Sequence, residues 1–428
     1  MHSRRARRFA AGGALVFPLV LAAQPRPQLP VAAPQAGSLD EHPAIQYATR
    51  ATTDRVSRLS AAITAGSRTL ARDAGTGYLS PLLDALGVPV ESQLLVFSKT
   101  GIQRLYTSPA RPRALYFDDA VVVGYNPGAP AIEIAAHDPQ QGVIFYTLDQ
   151  DSAPPVLARR TNCLACHVSG GTLDVPGMIA RSHMADRDGT VIETLPVTTV
   201  THQTPHTQRW GGWFITANAA APRYSPLGHL GNLAVTEHPR SGPAITSDHI
   251  FVEWMHSAPE SRGYPSAFSD LAAVMTFDHQ SHAINLLTRL NWESRASGGV
   301  SITPPLGRLV NELADYLLFA GEAPLAVTVA PRPGFATSLA SRTPKDRLSR
   351  SLAEFDLSTR LMRYPCSYMI YSGAFDALPP PLKDAVYVRM AAILSRPPDH
   401  PRYRHLSPDT RRAILDILRD TKSDFPRS

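Results

Sequence analysis

Ile45, Thr52, Val56, Leu59 and Ile63 recur along the chain at helical spacings with arginines between them, the mark of one apolar helix face. At Leu94 the texture changes. The runs 94-LLVFS-98, 114-ALYF-117, 120-AVVVGY-125, 131-AIEIA-135 and 143-VIFYTL-148 are β-branched or aromatic. They are separated by turn segments such as 126-NPGAP-130 and 138-DPQQG-142, which predicts short strands in a small antiparallel sheet. Residues 155–245 carry many Gly, Pro, Thr and His with little periodicity and read as loop. Beyond Ser247 the period turns helical, over 268–293, 306–321, 382–394 and 407–420. Ser407 is a natural N-cap for the last of these, with Pro408 at the first helical position, where a missing N–H does no harm. The pattern predicts an α+β fold, mainly α, whose C-terminal half is helical.

Composition sharpens this. Hydrophobic residues make up 43% and charged ones 18% of 428 positions, enough to bury a sizeable core. Proline is in excess, with 39 residues, about twice the usual share, so ordered loops and short elements are expected rather than long bundles. The start, MHSRRARRFAAGGALVFPLVLAAQPRP, has a basic region, an apolar run and small residues at Ala22 and Ala23, the layout of a bacterial secretory signal over 1–23. Pro18 interrupts a run shorter than the roughly 20 residues of a membrane span, although an uncleaved anchor stays open. No cysteine precedes Cys163, which excludes a lipoprotein anchor. Residues 1–23 hold four arginines and no acid, so their removal lowers the net charge from +6 to +2. The basicity belongs to the leader, and no nucleic-acid footprint remains. The expected division is 1–23 signal, 24–43 flexible leader, 44–150 helix and β region, 151–245 loop-rich segment and 246–428 helical region.

The chemistry concentrates in 161-TNCLACHVSGG-171, which holds two of the three cysteines and a histidine directly after the second. Shuffling three cysteines and fifteen histidines through this chain produces Cys-x-x-Cys-His about five times in ten thousand. Two thiols three positions apart on one helical turn can form thioethers to the two vinyl groups of one porphyrin, and the next residue then presents its imidazole to the iron. Cys163 and Cys166 are therefore expected to hold one covalent haem c, with His167 as the proximal ligand. A zinc site needs two more ligands, a thioredoxin-like pair needs a βαβ setting, and a structural disulfide rarely spans two residues. These alternatives remain beside the haem reading. Cys366, in 363-RYPCSYMIY-371, has no partner and reads as a buried, inert thiol.

For the other face of the iron several groups compete. Met178 and Met184 lie within chain reach of His167. His279 shares an approximate helical stripe with Leu271, Met275, His282 and Leu286, and is either a hydrogen-bonded core histidine or a distal iron ligand. His202 and His206 read as loop residues near a haem propionate. In 209-RWGGWFIT-216 the glycines allow close approach to a flat ligand, and Arg209 can pair with a propionate; the alternative is a strand packing two tryptophans inward. Signatures of a nucleophile elbow, a zincin or a P-loop are missing.

The segments 112-PRALYFDDAVVVGY-125, 143-VIFYTLDQ-150, 162-NCLACH-167, 175-VPGMIARS-182, 209-RWGGWFIT-216, 278-DHQSHAINLLTRLNWE-293 and 375-FDALP-379 resemble a family of large, exported bacterial mono-haem cytochrome c-like proteins of uncharacterised function. The resemblance runs from about residue 75 to 424. It implies thioether attachment at Cys163 and Cys166, His167 as proximal ligand, and a recurring position at His279. It departs from the family at Ile284, where a second histidine of this helix usually precedes the asparagine.

The expectation is thus an exported, periplasmic c-type cytochrome with a cytochrome c-like haem segment over 151–245, working by electron transfer with a redox partner protein. The alternative is a haem-dependent peroxidase-like or oxygen-using oxidoreductase that takes a small-molecule substrate at an open iron position, with His279 as its distal group. No nucleic-acid partner and no stable membrane span after signal cleavage are expected.

Overall fold

Asp54 opens the first helix, α1 (Arg55–Thr64): its carboxylate accepts from the backbone N–H groups of Val56 at 2.8 Å and Ser57 at 3.0 Å, satisfying donors that the helix itself leaves free. The second carboxylate oxygen accepts from the Tyr146 hydroxyl at 2.6 Å and ties the helix to the sheet. Val56 and Leu59 are buried as the pattern predicts, but Ile45 is buried from a turn ahead of the helix, where Gln46 takes a left-handed φ of 53°. The computed structural model describes residues 39–186, 188–215, 237–238, 242–243, 263–266, 268–299, 301–325, 333–396 and 400–427. The expected signal 1–23 and residues 24–38 of the leader lie outside the described residues.

Strands β1 (Leu94–Val96), β2 (Arg113–Phe117), β3 (Val121–Tyr125), β4 (Ala131–Asp138) and β5 (Gly142–Asp149) form an antiparallel meander. The β2–β3 turn is fastened by Asp118, whose Oδ1 accepts from Ala120 N and Val121 N at 2.9 Å each. Asp138 does the same for Gln140 and Gln141 before Gly142 at φ 77°, so the predicted turn residues act through their side chains. Two strands from the loop-rich stretch complete the sheet: β6 (Leu157–Arg159) beside β5, and β9 (Trp213–Phe214) beside β1. Two further short strands, β7 (Arg181–Ser182) and β8 (Thr198–Thr199), pair with each other. The boundary expected at 150 therefore runs through one sheet.

Alternation sends the two faces to different cores. Ile132, Ile134, Ile144, Tyr146 and Leu148 face α1 and α2 (Leu79–Leu86). Phe117, Val122, Val143 and Phe145 face a helical layer. Among the described residues between α2 and that layer a short helix, α3 (Leu164–His167), carries the cysteine motif.

The centre of the helical layer is α4 (Leu271–Ala296), capped by Asp270 through Ala272 N at 2.7 Å. Its 26 residues are buried almost all round, so the expected single stripe is replaced by contacts on every side. Some of its buried polar groups tie it to its surroundings: Gln280 donates to the Asp118 carbonyl and accepts from the Tyr368 hydroxyl, and Asn291 donates to the Ala377 carbonyl, while Ser281 Oγ and Thr288 Oγ1 are buried without a partner among the described residues. Helices α5 (Pro304–Leu317), α6 (Pro333–Arg342), α7 (Gly373–Asp376), α8 (Pro380–Ser395) and α9 (Pro408–Thr421) follow. Helices α5, α8 and α9 begin with proline in the first turn, and Ser407 accepts from Thr410 N at 3.2 Å. The fold is mixed α+β and mainly α. Among the described residues no helix is long and apolar enough to cross a membrane.

Candidate functional site

The chain leaves edge strand β6, donates once more from Arg160 N to the Phe145 carbonyl at 2.7 Å, and coils into the helical turn α3. Both Cys166 N and His167 N reach the Cys163 carbonyl at 3.1 Å. Thiols three positions apart on such a turn share one side. Both are free, Cys163 half-buried and Cys166 exposed. Burial, reinforced by the Glu133 carboxylate, pushes the Cys163 thiol up to about 11, so it is an uncharged thiol at neutral pH.

His167 is held at two points by one residue. Its Nδ1 lies 2.9 Å from the Gly177 carbonyl, and Gly177 N donates to the His167 carbonyl at 3.0 Å. A carbonyl can only accept, so Nδ1 carries the proton and Nε2 keeps its lone pair. Among the described residues Nε2 has no hydrogen-bond partner. The ring packs on Phe145, centroids 4.6 Å apart. Burial pushes the imidazole down to about 4, against the Gly177 hydrogen bond, which pulls it up, and with help from Arg113 and Arg181. It is neutral at physiological pH, the state a metal ligand needs.

Helix α4 fixes this clamp. Asn285 accepts from Met178 N at 3.0 Å and donates to the Met178 carbonyl at 2.7 Å. A Cβ on Gly177 would stand 2.2 Å from Asn285 Oδ1 and 3.0 Å from Thr172 Cβ, so only glycine fits there. The order of support is α4, Asn285, the 177–178 backbone, then the imidazole.

The sheet presents a partly open face near this turn. Leu115, Gly124, Glu133 and Thr147 form one cross-strand row, with Ala135 and Phe145 in the next. Leu115, Glu133 and Ala135 are only half-buried, on a face whose other members are covered by α4.

His279 lies elsewhere. It is fully buried on α4, with Nδ1 2.7 Å from His202 Nδ1 and Nε2 2.6 Å from Ser367 Oγ. Its ring stacks on Tyr316 and Phe319, at 5.0 and 4.2 Å. Both nitrogens are engaged by protein, and no hydrogen bond or ring contact joins it to His167. His202 is buried in the same cluster, and His206 stacks near Trp210 at 5.7 Å. Arg209, expected beside a propionate, is 1% exposed and internal: it donates to the Thr204 and His202 carbonyls at 2.6 Å and lies 3.7 Å from Asp278. Desolvation made the difference, because a guanidinium this deep must be met by acceptors on all sides. Trp210 donates to Asp278 at 2.7 Å and Trp213 to the Arg181 carbonyl at 2.8 Å, so both tryptophans pack inward. Met178 is buried, Met184 half-buried. Cys366 is fully buried with its thiol pushed far up by desolvation.

Sequence reasoning missed Gly177, Asn285 and Phe145. Only 176-PG-177, a turn-like pair ten residues after His167, offered a signal for the clamp. No family model, curated protein or solved structure matches the chain.

Proposed function

We propose that the chain is an exported mono-haem c-type cytochrome of the large cytochrome c-like kind that its sequence resembles, with haem c bonded to Cys163 and Cys166 and electron transfer to a redox partner protein as its work. The observation that carries this reading is the His167 imidazole, anchored through Nδ1 to the Gly177 carbonyl with Nε2 left open, on the same turn as two free thiols. The residues present suit such a group. Two free thiols can be alkylated, a neutral imidazole can ligate, and an anchored Nδ1–H fixes the ring's tautomer and orientation.

A haem bound there supplies one-electron chemistry at its iron. The protein's part is positional. Asn285 holds the 177–178 backbone, Gly177 holds the imidazole, and the Phe145 ring packed against it excludes water from one side. Burial of His167 keeps it unprotonated throughout the neutral range. Export, read from residues 1–23, fits the site where bacteria attach haem c, so a periplasmic location belongs to the same reading.

The chain produced in a strain with intact haem-c maturation tests it. Pigment that stays with the polypeptide in acidified acetone, with the mass raised by one haem, is the expected result; a colourless product, or extractable pigment, overturns it. The spectrum with carbon monoxide or peroxide then separates the two functions. Indifference to both supports electron transfer, and a response supports the peroxidase-like or oxygen-using alternative with a distal group other than His279.

A further inference from the structure

We infer that Arg113, Arg181 and His183 form a carboxylate-binding cluster beside the cysteine turn, and that the carboxylates it takes are the propionates of the attached haem. This rests on the preceding reading of Cys163, Cys166 and His167.

The three residues come together through the sheet edge. Val96 of β1 pairs with Arg113 on one side and with Trp213 of β9 on the other. The Trp213 indole donates to the Arg181 carbonyl at 2.8 Å, and His183 N donates to the Gly211 carbonyl at 3.0 Å. The strip 181–183 therefore runs along 211–213 at the end of the row that starts at Arg113. Along β2, Arg113 shares a face with Leu115 and Phe117, and Leu115, Cys163 and Leu164 pack against the same core cluster. Arg113 also lies 3.7 Å from Glu133, which shares a cross-strand row with Leu115.

What marks the cluster is unused donor capacity. Arg113 has five N–H donors. Its Nε is buried with no partner, one terminal nitrogen is 3.7 Å from Glu133 Oε2, and the other reaches Thr100 Oγ1 only at 3.5 Å. The half-buried Arg181 side chain makes no hydrogen bond or ion pair among the described residues, and His183 Nδ1 is buried without a partner. Buried donors left unmet destabilise the fold. Two guanidiniums beside a neutral imidazole, with Glu133 near Arg113 alone, leave positive charge uncompensated. A porphyrin held by thioethers at Cys163 and Cys166 carries two carboxylates on the edge away from its vinyl groups. Guanidinium groups bind carboxylates in paired, charge-assisted hydrogen bonds.

Ionised propionates favour ferric iron, and neighbouring cations oppose them. Arg181→Gln is the cleanest variant, because this side chain holds nothing else in the fold. In the holoprotein it should lower the midpoint potential, so that the ferrous-to-ferric ratio at the wild-type midpoint falls several-fold; Arg181→Lys should recover most of the shift, and His183→Asn combined with Arg181→Gln should enlarge it. Potentiometric titration of the visible spectrum reads all four proteins. A coloured Arg181→Gln protein whose midpoint equals the wild-type value, with the double variant unchanged as well, overturns the cluster while leaving haem attachment standing. A colourless wild type overturns both.

Discussion

Two groups of histidines in this molecule are held in different ways. His279 and His202 sit in the interior, stacked on Tyr316 and Phe319 and bonded to each other and to Ser367. His167 sits on a turn at the rim of the sheet, with one nitrogen anchored and the other open. Burial pushes all three imidazoles down, so a perturbed titration does not distinguish them. The state of the lone pairs separates His279, both of whose nitrogens are bonded, from His167; His202, whose Nε2 is buried without a partner among the described residues, is set apart only by its enclosure. A ring with both nitrogens engaged is structural, and a ring oriented through one nitrogen is prepared to ligate through the other.

The contrast breaks most visibly if the turn is needed for folding. Cys163→Ala with Cys166→Ala should remove all covalent pigment while the haem-free fold keeps the denaturant midpoint of haem-free wild type, since neither thiol is fully buried. Collapse of that variant would make the turn structural. The interior should behave in reverse. Asp278→Ala leaves the Arg209 guanidinium buried without its carboxylate and the Trp210 N–H without an acceptor, a loss of about 3–5 kcal/mol in chemical unfolding. Folded material should still attach haem.

Acid sharpens the comparison further. Burial, with repulsion from His282, holds His279 down at about 3, and burial followed by Arg209 holds His206 at about 4. Both values are depressed, so the stability these groups contribute is present above pH 6.5 and is lost as pH falls towards the folded values. The slope should approach about 1.4 kcal/mol per pH unit for each histidine that unfolding protonates. Asp278 has the opposite sign. Burial raises it to about 7, against Arg209, so its contribution is full below about pH 4 and declines as pH rises through about 7. Denaturant midpoints from pH 4 to 8 read both limbs, and His279→Asn should flatten the acid one by one proton. The smallest effect is expected at the clamp, where Gly177→Ala forces Asn285 aside for about 1–3 kcal/mol. It should also disturb the iron spectrum if the Gly177 carbonyl orients His167.

The helices over 271–296, 304–317, 380–395 and 408–421 and the strands from Leu94 to Asp149 were legible because their signals are local: periodicity, proline at helix starts, aspartate in turns. Short elements such as α2 and α6 gave too few periods to be read. The role of Arg209 stayed open because its local sequence, Arg-Trp-Gly-Gly-Trp, is equally compatible with a ligand edge and with inward packing. Only burial against Asp278, 69 residues later in the sequence, separates them. His183, Arg113 and Arg181 gave no signal at all, since an unused donor is defined by what surrounds it.

Sequence by itself determined the pairing of two thiols and an imidazole on one turn, because that spacing is set by the backbone within a few residues. It also determined the mixed fold with its helical second half. The tertiary structure decided which histidine is open and which is closed. That choice depends on a carbonyl ten residues away and on an asparagine 107 residues beyond the backbone it holds, and contacts at such separations exist only once the helical layer has packed against the sheet.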